Sequence, residues 1–85
     1  MQKYEHVVQS SEGIHARPAM LLTKFAKNIS SKLTISYNGK KADACNIMEL
    51  FSLRARHGAK VTFMVEGPHE IEDLKSLKDF CERNI

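Results

Sequence analysis

Residues 33–44 constrain the fold most strongly, because they predict a β-hairpin. Residues 33–37 (Leu-Thr-Ile-Ser-Tyr) alternate apolar and polar side chains, which is typical of a strand with one buried face. Asn38-Gly39 follows, a dipeptide favoured in two-residue hairpin turns because both positions need a positive φ. Residues 40–44 are therefore predicted to pair back as a second strand. The sequence thus predicts an antiparallel sheet with one covered face and one face open to solvent.

The remaining segments complete a predicted α+β fold with the order βαββαβα. Further strands are predicted at residues 4–8 and 60–66, and helices at residues 16–27, 47–53 and 70–83. The last helix is predicted to bury a face formed by Ile71, Leu74, Leu77 and Cys81. The simplest packing is an open-faced β-sandwich, in which a four-stranded antiparallel sheet carries three helices on one face. We expect a single domain over residues 1–85.

Composition limits the classes of function. The formal net charge of +3 is too small to produce the dense positive field of a dedicated nucleic-acid binder. It suits docking to an acidic protein surface. Cys45 and Cys81 lack the close spacing of a disulfide framework or a cysteine-based zinc site, so we expect two reduced thiols and no metal. No apolar run approaches membrane-spanning length, and the first residues contain no apolar signal core. We therefore expect a cytoplasmic protein without membrane insertion.

Residues 13–20 (Gly-Ile-His-Ala-Arg-Pro-Ala-Met) predict an anion site at the start of a helix. Proline is tolerated in the first helical turn, because its missing N–H has no intrahelical partner there. Pro18 therefore places the helix start near Ala16, with His15 at the boundary. The unpaired N–H groups and the positive end of the helix dipole suit a phosphate. Arg17 lies in the same turn, and a guanidinium can contact two phosphate oxygens at once.

Two interpretations of His15 remain open on the residues alone. In the first, its imidazole acts as a nucleophile and carries a covalent phosphoryl group, held by positioning and electrostatics. In the second, His15 is only a helix-boundary residue and Arg17 is a solvated surface charge.

The motif at residues 13–19 resembles the active-centre motif of HPr, the histidine-containing phosphocarrier family of the bacterial phosphoenolpyruvate:sugar phosphotransferase system. Further HPr landmarks occur at matching spacing, at residues 38–41, 46–48, 52–53, 58–60 and 66–67. The resemblance covers nearly the whole chain. It implies the same open-faced sandwich that the hydrophobic pattern predicts.

The resemblance implies a phosphoryl-carrier intermediate in a relay rather than an independently acting enzyme. His15 would accept the phosphoryl group from phosphorylated enzyme I and pass it to enzyme IIA domains in sugar uptake. Arg17 would stabilise the phosphate, which would bind at Ala16 and Arg17 at the helix N-terminus. Transcriptional regulators are further expected partners, whereas nucleic acid, cofactors and metals are not expected. We expect a monomer.

A second surface is predicted beside the first. The helix at residues 47–53 is too short to bury its whole circumference, so its apolar residues form either core or a docking patch. In HPr proteins this helix lies beside the active histidine and contacts partners, which favours docking. Lysines of the first helix, with Arg17, would supply steering charge. The predicted docking residues are Met20, Lys24, Lys27, Ile47, Met48 and Phe51.

The chain departs from the usual HPr pattern at four positions. Asn46 stands where many relatives carry a serine phosphorylated by a dedicated kinase. Asparagine can cap a helix but cannot accept phosphate, so we expect no regulatory phosphorylation there. Glu12 stands where Ser or Asn is usual, and a carboxylate there would repel phosphohistidine. Glu49 and Arg54 replace frequent glycines and are expected to reshape the docking patch.

Two functions of other classes compete with the carrier. One is a regulatory module, in catabolite or nitrogen regulation, that binds proteins through the second helix without obligatory phosphotransfer. The other is a small nucleic-acid binder, suggested by the positive charge. The few aromatic residues and the lack of a recognition motif disfavour the nucleic-acid binder.

Overall fold

The computed structural model describes residues 1–85, and its elements follow the predicted order. They are β1 (Gln2–Val7), α1 (Ala16–Asn28), β2 (Lys32–Tyr37), β3 (Lys40–Asp43), α2 (Ile47–Leu53), β4 (Lys60–Glu66) and α3 (Glu70–Asn84). The predicted α+β arrangement is therefore confirmed. None of the three helices combines the length and the apolarity needed to cross a bilayer.

The four strands form one antiparallel sheet in the order β1-β4-β2-β3. The predicted hairpin joins β2 to β3, with Asn38 at φ 54° and Gly39 at φ 81°. Strand β1 begins earlier than predicted, because Gln2 pairs with Val65 of β4 and extends the ladder beyond the apolar residues. Strand β4 thus lies between β1 and the hairpin in the sheet.

The core lies between one face of this sheet and the helices. Along β4 the buried residues Val61, Phe63 and Val65 alternate with exposed or half-buried ones, as a strand with one covered face requires. The helical residues of the buried core are Ala19, Leu22 and Ala26 of α1, Leu50 and Leu53 of α2, and Leu77 and Cys81 of α3. Cys81 belongs to this core, and its burial raises the pKa of the thiol to about 12.

The predicted apolar face of α3 is wrong at one position. Ile71 is 61% exposed, whereas Leu77 and Cys81 are buried. With 3.6 residues per turn, Ile71 points about 120° away from Leu77 around the helix axis. The helix turns the side centred on Leu77 and Cys81 toward the sheet, and Leu74 is only half-buried at its border.

The first turn of α3 is held to the loop before β2 by Asp73. Its carboxylate accepts hydrogen bonds from the Ser31 N–H at 3.0 Å, the Ser30 hydroxyl at 3.3 Å and the Ser31 hydroxyl. These hydrogen bonds, that of the Ser31 hydroxyl foremost, hold the pKa of Asp73 below its usual range. The carboxylate therefore stabilises the fold above the pKa of an unfolded aspartate, and this contribution is lost as the pH falls through the lowered folded-state value.

Replacing Asp73 is expected to give a pH-dependent loss of stability. Asp73→Asn should lower the free energy of unfolding by about 1–2 kcal/mol at pH 7, because a charged acceptor of several hydrogen bonds is removed. The difference from the parent protein should shrink below about pH 4, where aspartates become protonated. Urea unfolding from pH 7 to about pH 2 measures it, with Asp79→Asn as the control at an exposed pair with Arg83. A difference that does not change with pH would contradict this account.

Candidate functional site

His15 lies at the N-cap of α1, as Pro18 predicts. Its backbone is extended (φ −150°, ψ 165°), and the helix begins at the next residue. Its side chain is exposed and makes no capping hydrogen bond, whereas Pro18 is buried in the first turn. The imidazole is therefore accessible at the positive end of the helix.

The backbone that follows His15 suits an anion. Ala16 has a φ of 49°, in the left-handed region that alanine seldom occupies. No protein acceptor contacts the N–H of Ala16 or of Arg17. A left-handed residue beside helical residues lets successive N–H groups converge on an anion. Local strain of this kind clusters at functional sites.

The loop before His15 is fixed against the chain between α2 and β4. The Ile14 N–H donates to the Ala55 carbonyl oxygen at 2.8 Å. Gly13 has a φ of 70°, and a Cβ there would collide with the same carbonyl oxygen and lie 2.8 Å from Arg56 Cα. Only glycine fits this position, so Gly13 allows the approach of the two segments that forms the site.

His15 borders a cleft of about 400 Å³ between the start of α1 and the end of α2. The imidazole packs against the half-buried ring of Phe51, with centroids 4.6 Å apart and an interplanar angle of 36°. This contact restricts the orientation of the imidazole while leaving it accessible. The residues that line the cleft are Glu12, Ile14, His15, Phe51, Arg54, Ala55 and Arg56.

The structure does not bring Arg17 into that cleft. Arg17 borders a separate cleft of about 280 Å³ near the end of α3, and Glu12 is the residue that both clefts share. Arg54 and Arg56 line the His15 cleft instead. Sequence reasoning did not assign either of them to the phosphate. Arg54 could have been considered for this role, because it stands where glycine is frequent in the family. Nothing in the sequence singled out Arg56.

The predicted docking residues divide between two surfaces. Four of them border an open cleft of about 550 Å³ between α1 and α2, namely Met20, Lys24, Lys27 and Ile47. Met20 is 62% and Met48 is 68% exposed, but Met48 lines neither this cleft nor that of His15. Phe51 faces His15. The three apolar residues predicted to form one docking patch on α2 therefore do not lie on one surface. Ile47 borders the cleft between α1 and α2, Phe51 borders the His15 cleft, and Met48 borders neither.

Asn46 and Glu49 together cap α2. The Asn46 side-chain oxygen accepts from the N–H groups of Met48 at 3.1 Å and Glu49 at 3.3 Å, and its amide donates to the Glu49 carboxylate at 3.1 Å. Glu49 also accepts from the Asp43 N–H at 2.9 Å. Glu49 thus stabilises the start of this helix. The absence of regulatory phosphorylation at Asn46 stays a prediction.

The chain matches one known family over nearly its whole length. The sequence model described as PTS HPr component, phosphorylation site, matches residues 2–83. The chain belongs to the HPr family. Its α+β fold is that of HPr, as the sequence predicted, and family membership supports a phosphocarrier role in the phosphotransferase system.

Solved structures agree with this membership. HPr-C-His from Thermoanaerobacter tengcongensis is 33% identical with a TM-score of 0.92, covering 99% of this chain and 94% of that chain. The phosphocarrier protein HPr from Bacillus anthracis is 29% identical with a TM-score of 0.87, covering 94% and 95%. Crh, a catabolite repression protein of Bacillus subtilis described as a swapped dimer, is 32% identical with a TM-score of 0.75, covering 100% and 98%. Relatives of the chain thus include an HPr phosphocarrier and a catabolite repression protein.

Proposed function

We propose that this HPr protein carries a phosphoryl group on His15 from phosphorylated enzyme I to an enzyme IIA domain in sugar uptake. One observation carries the proposal: His15 is exposed at the N-cap of α1, beside two backbone N–H groups without protein acceptors. These N–H groups, those of Ala16 and Arg17, would bind the phosphate. Arg17 would add a guanidinium from the neighbouring cleft.

The proposed step needs no separate base. The lone pair of the unprotonated imidazole nitrogen of His15 attacks phosphorus, and an N–P bond forms. The bond from phosphorus to the enzyme I donor atom breaks, and its electron pair leaves with that donor. The other imidazole nitrogen keeps its hydrogen. Transfer to enzyme IIA is the same displacement with His15 as the leaving group, so positioning and charge supply the stabilisation.

Partner docking is proposed for the cleft between α1 and α2. The exposed thioether of Met20 and the half-buried Ile47 offer apolar contact, while Lys24 and Lys27 offer positive charge. An apolar centre with a charged rim is the usual anatomy of a transient interface. The exposed Met48 would extend this surface. We also propose that the chain is a monomer, because the relay needs only one copy of it. We propose a cytoplasmic location as well.

The similarity to Crh favours a second candidate. A regulatory module would bind its partner through the same surface, and transcriptional regulators would be among its partners. Its activity would not require the phosphoryl group. The similarity in sequence and fold does not separate this candidate from the carrier, whereas the chemistry of His15 does.

A two-stage relay tests the proposal. The chain is first incubated with phosphoenolpyruvate and catalytic enzyme I, and then separated from the donor. The purified chain is next mixed with an enzyme IIA domain, and the intact masses of both proteins are followed. The carrier predicts that enzyme IIA gains the phosphoryl group that the chain loses. A chain that binds its partners but never becomes phosphorylated would favour the regulatory module.

A further inference from the structure

Arg54 and Arg56 border the same cleft as His15, and no acidic side chain pairs with them. Both residues are exposed and both line the cleft of about 400 Å³. Neither takes part in any ion pair of the protein. Two exposed arginines without an ion-pair partner at one cleft favour an anion, since a guanidinium can offer several N–H donors to phosphate oxygens.

The segment that carries the two arginines is fixed relative to His15. Ala55 lies between them, is 3% exposed, and accepts the hydrogen bond from the Ile14 N–H at 2.8 Å. Ile14 directly precedes His15 and is 1% exposed. The backbone of both arginines is therefore anchored to the residue before the imidazole through a buried hydrogen bond.

The negative charge of Glu12 gives the positive charges of Arg54 and Arg56 a role at His15. Glu12 also lines this cleft, and a carboxylate repels the dianion that phosphorylation of His15 would create. Without the arginines, the charged groups around His15 in this cleft would be negative only. With them, the cleft is lined by two positively charged residues and one negatively charged residue.

Arg54 adopts a backbone conformation that favours glycine. It forms the C-cap of α2 with φ 54° and ψ 36°, and its N–H donates to the Phe51 carbonyl at 3.2 Å. The left-handed conformation at a helix C-terminus is most easily adopted by glycine. An arginine in this conformation beside a reactive imidazole points to a role for the guanidinium.

We propose that Arg54 and Arg56 hold the phosphoryl group on His15 and offset Glu12, and so set how far the carrier is phosphorylated at equilibrium. The proposal rests on the proposed function and deepens it. The ligand is the phosphoryl dianion itself, and the two arginines act on it alongside the free N–H groups of the helix start.

A phosphoryl-exchange equilibrium tests this directly. Phosphorylated parent protein and unphosphorylated Arg54→Gly/Arg56→Gln are mixed with catalytic enzyme I, and all four species are quantified by intact mass at neutral pH. The exchange constant depends only on these four species, so it is independent of docking to the donor. We expect it to disfavour the phosphorylated variant about tenfold, as two exposed charge pairs with a dianion would. Concentrated salt of about 1 M should reduce this ratio.

Matched variants separate charge from structure. Lys75→Gln removes one exposed positive charge from α3, at a residue that lines neither of the clefts near His15, and should leave the exchange constant near one. Glu12→Gln should favour the phosphorylated form about threefold and partly rescue the double variant. Arg54→Gly alone should melt no lower than the parent protein, because glycine relieves the left-handed conformation.

The outcomes are distinguishable from failure of the proposed function. If His15 of the parent protein accepts no phosphoryl group, the carrier itself fails. If the parent protein is phosphorylated and the double variant exchanges with a constant near one, from either starting direction, the role of the two arginines is overturned. A tenfold shift that Glu12→Gln does not change would overturn the offset of Glu12.

Discussion

His15→Ala is expected to abolish phosphoryl acceptance from enzyme I while leaving the fold intact. The variant lacks the attacking nitrogen, so the rate should fall by at least about a thousandfold. Because His15 is exposed and its imidazole packs against the half-buried Phe51 ring, the free energy of unfolding should change by no more than about 1 kcal/mol. Transfer is measured by intact mass, and stability by urea unfolding.

His57→Ala provides the matched control. His57 is exposed but lies outside the His15 cleft, so this variant should accept a phosphoryl group as the parent protein does. Binding of His15→Ala to enzyme IIA should persist, since the cleft between α1 and α2 that is proposed for docking does not include His15. Undiminished phosphorylation of His15→Ala would show that a residue other than His15 carries the phosphoryl group. Unaffected regulatory activity without phosphate would support the binding module.

Gly13→Ala is expected to damage both the fold and the site. A methyl group at this position meets the Ala55 carbonyl oxygen and Arg56 Cα, which are backbone atoms that cannot rotate away. The new residue must also adopt a φ of 70°. Together these effects should lower the free energy of unfolding by about 2–4 kcal/mol. Phosphoryl acceptance should fall as well, because the loop that presents His15 must move away from the segment carrying Arg56.

Gly39→Ala isolates the steric part of that effect. Gly39 has a similar φ of 81°, but a Cβ there meets nothing within 4 Å. This control should lose only about 1 kcal/mol and retain full phosphoryl acceptance. Urea unfolding and intact-mass kinetics on both variants make the comparison. Equal losses of stability for the two would show that the contact between Gly13 and Ala55 is unimportant.

The parts of this protein that could be predicted from sequence depend on short-range physics. Pro18 restricts the helix start because of its own ring and missing N–H, and it placed His15 correctly at the boundary. Asn38-Gly39 specified a turn whose two φ angles are positive in the structure. Residues 60–66 were predicted as a strand, and in the structure they form β4, in which buried residues alternate with exposed or half-buried ones. Each of these signals is carried by residues within one element.

The remainder depends on how elements meet. The spacing of Ile71 from Leu74 fits a helical face, but the rotation of α3 against the sheet decides which side of that face is buried. The residues at the His15 cleft come from two segments separated by about forty positions in the chain. The arginine at position 54 stands out only as a departure from the family pattern, and no local pattern indicates that Arg56 lines this cleft or that Arg17 borders another. Tertiary contacts alone supply that information.

The first measurement is the intact mass of the chain after incubation with phosphoenolpyruvate and purified enzyme I, with His15→Ala in parallel. We expect the chain to gain a single phosphoryl group that is labile in acid, as a phosphoramidate is, and that is absent from the variant. With a folded chain and an active enzyme I, no gain of mass, or an equal gain in the variant, would contradict the claim that His15 carries the phosphoryl group.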